Sequence, residues 1–446
     1  MPELRDAVEA ALPAAREDLQ RLVRIPSIWA DPGHAQDTER CADTVADLAR
    51  DAGAQRVRII RAEGGAPAVV AQWPAPPGQP TVLLYAHLDV QPTGGDEHWT
   101  SPPFEPTERD GRLYGRGAAD DKAGVMTHLA VLRAYQGRPP VGVTLFIEGE
   151  EESGSPTLRA LLREHHGLLD AEVIVIADAG NPSVDVPALT TSLRGLVDCT
   201  IEVSMLERPA HSGVFGGPAG DALTALCKAL GSLHDDKGEV AVPGLTHGHS
   251  DAPDMDEAAF RSAAGLLDGV ELLGTGTIPE RMWCKPSVAV LGIDAPRVSE
   301  VSNILVPRAR AAVSMRIAPG DDVAGAQRAL AEHLEAHVPW GAQVRVTPGG
   351  GVAEPFTLDG TGVAYDAARR AFSEAYGNAA VETGIGGSIP FIAEFARTFP
   401  GAAVLVTGVG DPDSRWHGID ESLHLEMFGR CVLAEALLLD ELRAAG

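Results

Sequence analysis

The stretch Phe146–Leu162, FIEGEEESGSPTLRALL, sets three consecutive glutamates, Glu150, Glu151 and Glu152, between an apolar run and a helix-like segment. The residues leading into it, VGVTLFIEG, are apolar and β-rich and read as a buried strand. After the glutamates, Ser155 reads as a helix N-cap and Pro156 as the first helical residue. An acidic run is ordinarily a solvated loop. This one falls where a strand hands over to a helix, and α/β sheets hold their ligands at the carboxyl ends of their strands. A cation there would offset the repulsion among the carboxylates.

Residues 1–188 alternate strand and helix patterns: PAVVAQWP, TVLLYAHLDV, the helix KAGVMTHLAVLRAY, GVTLFIEG, the helix SPTLRALLREHH and AEVIVIAD. Short apolar strands alternating with helices predict an α/β fold with a mixed, largely parallel sheet flanked by helices. Between 189 and 348 the pattern changes to strand GLVDCTIEV, helix GDALTALCKALGSL, strands SVAVLGID and ARAAVSMRIA, helix DVAGAQRALAEHLEAH and strand AQVRVTP. That βαββαβ order is the ferredoxin-like one. An insertion from Lys237 to Pro286 interrupts it. Residues 349–446 return to alternation with GTGVAYDAARRAFSEAYG and AAVLVTGVG. The expected architecture is a discontinuous larger domain, 1–188 and 349–446, with a smaller one, 189–348, inserted.

The formal charge is −27, from 63 acidic against 36 basic residues, with no basic cluster. Nucleic-acid backbones and anionic membranes are poor partners for such a surface. No run of about 18 apolar residues occurs, and MPELRDAVEAALPAAREDLQRLVRIPS reads as a charged amphipathic helix rather than a signal peptide, so a cytoplasmic location is expected. Cys41, Cys199, Cys227, Cys284 and Cys431 are scattered, without a CxxC, and suggest neither a disulfide framework nor a thiolate metal site.

Further strand ends carry metal-capable side chains. VLLYAHLDVQP sets His87 and Asp89 two apart on a strand, hence on one face. The glycine-rich GRGAADDKAG delivers Asp120 and Asp121 before a helix, AEVIVIAD ends on Asp178, and GDPDSRWHGIDES offers His417. Each has an ordinary reading alone: a core histidine, a helix N-cap, a turn former, a surface histidine. Together they would crowd negative charge into one cleft. Two divalent cations sharing a carboxylate, spaced about 3.5–4 Å, would relieve it. Histidine and carboxylate donors without cysteine suit Zn²⁺, with Mn²⁺ or Co²⁺ as substitutes.

HLDVQP, GRGAADDKAG, EGEEESGS, IAD and WHGIDES, in this order, resemble the aminoacylase and carboxypeptidase G type dinuclear zinc peptidases, most closely their carnosinase and cytosolic nonspecific dipeptidase branch. RMWCKPS resembles that branch specifically. The resemblance implies a catalytic domain, an inserted lid and dimerisation domain, and hydrolysis of dipeptides, with deacylation of N-acyl amino acids as the alternative and a non-catalytic metal-binding dimer as the alternative of another class. Carried over by position, it implies His87, Asp120 and Asp178 as ligands of one metal, and Asp120, Glu152 and His417 of the second. Glu151 matches the general base and Asp89 the aspartate that tunes the site, while Glu150 is an extra acid. In the lid, His211 of RPAHSGVFGG matches the histidine that stabilises the oxyanion in the partner subunit's site, which implies a homodimer. Asn303 and Arg316 match substrate-contacting residues, Arg316 suiting bidentate capture of a carboxylate. Gly386, Gly387 and Ser388 match a glycine-rich substrate loop.

Overall fold

The computed structural model describes residues 2–250, 252, 254–387 and 390–445. The chain divides into two compact units, Met1–Thr191 with Leu358–Glu382 and Pro390–Gly446, and Ser192–Thr357 with Thr383–Ile389. In chain order the strands used below are β1 (Arg56–Ile60), β2 (Ala68–Trp73), β3 (Thr81–His87), β4 (Gly142–Glu148), β5 (Val173–Ile176), β6 (Ala188–Leu193), β7 (Gly195–Ser204), β8 (Ser287–Asp294), β9 (Arg308–Ile317), β10 (Gln343–Pro348) and β11 (Ala403–Val406). The helices are α1 (Pro2–Val23), α2 (Lys122–Ala134), α3 (Leu158–Glu164), α4 (Ala222–Gly231), α5 (Val323–Ala336) and α6 (Leu425–Ala445).

The first unit is built on a mixed sheet in the order β1-β2-β4-β3-β5-β11-β6. The central strands β4, β3, β5 and β11 are parallel, and β1, β2 and β6 join antiparallel. Every residue of β4 and β5 is buried, as expected of strands covered on both faces. Each fully buried Val, Leu, Ile or Phe contributes on the order of 1.5–3 kcal/mol of transfer free energy. Helix α2 lies against α1, α6 and β3. The register His87↔Glu148 and Tyr85↔Ile176 brings the carboxyl ends of β3, β4 and β5 level. Among the described residues, no helix is long and apolar enough to cross a membrane.

Two local expectations change. Strand β3 ends at His87, so Asp89 lies beyond it and meets His87 through the turn rather than along a strand face. Helix α3 begins at Leu158, after Thr157, and not at Pro156. The reason is Glu150. Its carboxylate Oε1 accepts hydrogen bonds from Thr157 N at 2.7 Å and Thr157 Oγ1 at 2.5 Å, and Oε2 accepts one from Ala66 N at 3.0 Å. The acid thus satisfies the amide at the helix entry that Ser155 was expected to cap, while Ser155 takes a left-handed φ of 50°.

The second unit contains a four-stranded antiparallel sheet in the order β8-β9-β7-β10. Its elements follow the chain as β7, α4, β8, β9, α5, β10. Burial alternates along β7, and its inward Val197, Cys199, Ile201 and Val203 share a core with Leu226 and Leu230 of α4 and Leu330 and Leu334 of α5. The Lys237–Pro286 insertion carries a short helix, Glu257–Ala264, and is pinned by Lys285 Nζ donating to Glu239 Oε1 at 3.0 Å.

Candidate active site

His87, fully buried at the end of β3, organises the centre. Its Nδ1 lies 3.1 Å from Asp89 O and 3.4 Å from Asp89 Oδ1. Its Nε2 lies 3.1 Å from Asp120 Oδ1, 3.8 Å from Glu151 Oε2 and 3.9 Å from Asp178 Oδ1. The two adjacent aspartates divide their work. Asp121 caps α2 by accepting from Gly124 N at 3.2 Å and also accepts from His87 N at 3.2 Å. Asp120 is left to face the histidines.

The three glutamates also part. Asp89 accepts Glu151 N on Oδ1 and Glu152 N on Oδ2, each at 3.1 Å, which fixes the short 3₁₀ turn Glu151–Ser153. Glu150 turns away as the helix cap described above. Glu152 Oε2 lies 3.1 Å from His417 Nε2 and accepts a hydrogen bond from Gln91 Nε2 at 2.9 Å. His417 Nε2 is also 3.1 Å from Asp120 Oδ2. The His417 side chain is 58% exposed and its φ of 58° lies in the left-handed region, so a sharp loop presents the ring.

Burial pushes the Glu151 carboxyl up to about 8, opposed by His87 and reinforced by Glu152, Asp89 and Asp120. Burial likewise holds Asp178 well above the carboxylate range. For Asp120 burial works upward, but the hydrogen bonds of His417 and His87 prevail and lower it. His417 is raised to about 10 by its bonds to Asp120 and Glu152. The cluster therefore favours added positive charge, first as protons on the imidazoles and the acids. Two donor groups, His87 with Glu151 and Asp178, and His87 with Asp120 and Glu152, each bring their ligand atoms within 4.8 Å of one another. Imidazole nitrogens with carboxylate oxygens fit divalent cations such as Zn²⁺ or Mn²⁺.

The remaining expected residues lie in the second unit. His211 is exposed, pairs in register with Ile304, and its Nδ1 accepts from Gly213 N at 3.0 Å. Asn303 is exposed beside it and its carbonyl accepts from Ser212 N at 3.0 Å. Arg316 is half-buried on β9, opposite Ser287 and Leu196, and burial lowers its pKa. Gly386 has no room for a side chain: a Cβ there would lie 2.8 Å from Arg194 Nη2 and 3.0 Å from Met282 O. Gly387 follows it in a bend, and Ser388 lies outside the described residues.

Sequence reasoning missed Arg194, whose guanidinium donates to Gly386 O at 3.0 Å, Lys285 O at 3.2 Å and Ser287 Oγ at 3.1 Å. Burial, then the neighbouring Arg316, pushes its pKa down to about 10. It also missed Gln91, Arg116 and Glu421. All three stand inside the stretches HLDVQP, GRGAADDKAG and WHGIDES, and that placement was the available signal.

The chain is 36% identical over 430 residues to the cysteinylglycine-S-conjugate dipeptidase of Corynebacterium striatum, covering 95% of this chain and 94% of that protein. It is 30% identical over 396 residues to the Beta-Ala-His dipeptidase of Rattus norvegicus, covering 84% and 79%. The crystal structure of human carnosine dipeptidase 1 superposes with a TM-score of 0.80 at 26% identity, covering 99% of this chain and 98% of that one. The model of peptidase family M20/M25/M40 matches residues 83–441, a span that holds every member of the donor cluster, and the chain belongs to this family.

Proposed function

We propose that this chain hydrolyses the amide bond of dipeptides with two divalent metal ions. The observation that carries the reading is the convergence of His87, Asp120, Glu152, Asp178 and His417 on one centre with Glu151 among them. Membership of the peptidase family and similarity to two dipeptidases support it. In this reading His87, Asp120 and Asp178 hold one ion and Asp120, Glu152 and His417 the other. The ions, zinc first with manganese or cobalt as substitutes, would supply Lewis acidity and lower the pKa of water. Glu151 takes the proton of the attacking water and returns it to the leaving amine nitrogen as the C–N bond breaks. Asp89 keeps Glu151 and Glu152 in place through their amides and orients the His87 ring from Nδ1.

The second unit is read as a lid with a ferredoxin-like topology, and its strand order supports the topology. Arg316 takes the C-terminal carboxylate of the peptide, Asn303 contacts substrate, and Gly386, Gly387 and Ser388 allow the backbone to approach it. His211 serves the site of a second copy in a homodimer. Exposed apolar Val214 and Phe215 beside it, and Val290, Leu291 and Ile293 on the outer strand β8, support a second copy. A cytoplasmic setting completes the proposal. The test is a panel of α-dipeptides, β-alanyl dipeptides, S-substituted Cys-Gly and N-acyl amino acids, assayed after chelation and after return of Zn²⁺ or Mn²⁺. Metal-restored cleavage of dipeptides is expected. Faster cleavage of N-acyl amino acids would replace the reading with a deacylase, and activity indifferent to chelation would overturn it.

A further inference from the structure

Glu421 is fully buried four residues after His417, and the four hydrogen bonds of its carboxylate run to the loop that delivers Asp120. Oε2 accepts from Arg116 Nη1 at 2.7 Å and Gly117 N at 3.0 Å. Oε1 accepts from Ala119 N at 2.9 Å and Asp120 N at 3.0 Å. Backbone pairing continues the tie, with Gly115 N donating to Glu421 O at 3.0 Å. Arg116, itself buried, carries the connection to a third segment. Its Nη2 donates to Pro92 O, in the turn that follows His87 and Asp89, and to Gly418 O, next to His417, each at 3.2 Å.

We propose that Glu421, acting through Arg116 and the Asp120 amide, is a positioning residue that sets the separation of Asp120 from His417 and so the affinity of the centre for metal. The inference rests on the proposed function and deepens it. Three features argue for it. The Asp120 carboxylate faces His87 with one oxygen and His417 with the other, so rotation of its backbone would break both contacts at once. The His417 loop holds Arg415, His417 and Asp420 at φ of 54°, 58° and 59°. Non-glycine residues in that region persist only where the surroundings over-determine them, and Glu421 and Arg116 grip the loop at its end and beside His417. Finally, an ionised carboxylate only accepts, and its two oxygens meet four donors. Only the charged acid fits that set, because an amide would set its own N–H groups against two of them.

The experiment compares Glu421→Gln with the unmodified full chain, measuring Mn²⁺ affinity by titration calorimetry and the melting temperature of the metal-free protein. The control is Glu435→Gln, a buried acid on α6 whose partner His128 lies 2.8 Å away and which, among the described residues, hydrogen-bonds to none of the centre. Glu421→Gln is expected to weaken Mn²⁺ binding by about tenfold or more, as outer partners of metal ligands do. Glu435→Gln should lower the melting temperature and leave Mn²⁺ affinity unchanged. Unaltered Mn²⁺ affinity in Glu421→Gln would overturn the inference, and so would an equal loss in both variants, which would signal general destabilisation. Should Glu421→Gln fail to fold, Arg116→Lys keeps a cation beside Glu421 but cannot span to Pro92 O and Gly418 O, and it must weaken Mn²⁺ in turn or the inference falls. An unmodified chain that takes up no divalent ion would instead sink the proposed function, and this inference with it.

Discussion

His417 Nε2 lies 3.1 Å from Asp120 Oδ2, joining a loop near the C-terminus to the loop before α2. The other oxygen of Asp120 faces His87, so this carboxylate sits between two imidazoles. If it bridges two ions, the ions should be separable by mutation. His417→Ala is expected to reduce tightly bound metal from two ions per chain to one and to depress kcat, because the remaining ion would keep its proposed ligands His87, Asp120 and Asp178. Elemental analysis after dialysis reads the stoichiometry. Two ions retained in the variant would remove His417 from the ligand set.

Glu151 and Glu152 are adjacent but differently placed: Glu152 meets His417, whereas Glu151 stands 3.8 Å from His87. Glu151→Gln should keep its metal and lose roughly 10²-fold or more in kcat, the scale of a general base. Glu152→Gln should lose metal first. The reverse pattern would exchange their assignments and make Glu151, which lies within donor range alongside Asp178, the ligand.

The strands of both units were legible because apolar runs and period-two alternation are local signals. Strand β4 with its seven buried residues and β7 with its strict alternation are the clearest cases. The seven residues gathered in the first unit were legible one by one as strand-end acids and histidines. Their neighbours' roles were not, because partners distant in sequence decide them. Asp120 and Asp121 are the same residue type before the same helix, and only the contacts with His87 and Gly124 separate ligand candidate from cap. Glu150 looked like an extra acid because its partner Ala66 belongs to another segment. Its other oxygen, by accepting from Thr157, moved the start of α3 away from Ser155.

His211 is the residue whose proposed role needs a second chain. Inactive His211→Ala mixed with inactive Glu151→Gln under subunit exchange should recover part of the activity, since one site of the hybrid would be intact. A verified heterodimer without recovery would assign His211 to its own subunit or to no catalytic role.

Arg316 can bind a carboxylate by two parallel charge-assisted hydrogen bonds, and its half-buried position strengthens such a pair relative to water. Dipeptides with a free C-terminus should therefore be cleaved far faster than their amides. Arg316→Ala should erase most of that preference by raising KM for the acid more than for the amide. Equal cleavage of acid and amide by the unmodified chain would remove Arg316 as the anchor.

Glu148 ends β4 fully buried, and its Oε2 accepts the Tyr85 hydroxyl at 2.7 Å. Burial pushes its carboxyl up to about 7 from the ordinary 4.5, against the lowering effect of the Tyr85 bond. As pH rises above about 4.5 the unfolded chain releases this proton while the folded chain keeps it until about 7, so folding stability falls across that window and levels off above it. Below about 4.5 both states are protonated and the group contributes no pH dependence. Glu148→Gln carries no such proton and retains an oxygen for the Tyr85 hydroxyl. Its stability relative to the unmodified chain should therefore rise between pH 5 and pH 8, by roughly 3 kcal/mol at most. Urea unfolding of both metal-free proteins at the two pH values measures the difference directly, and because the metal ligands are common to both, their own titration cancels. A difference that stays flat with pH would mean that Glu148 is ionised in the folded chain, with its charge compensated by a contact stronger than the single Tyr85 hydroxyl.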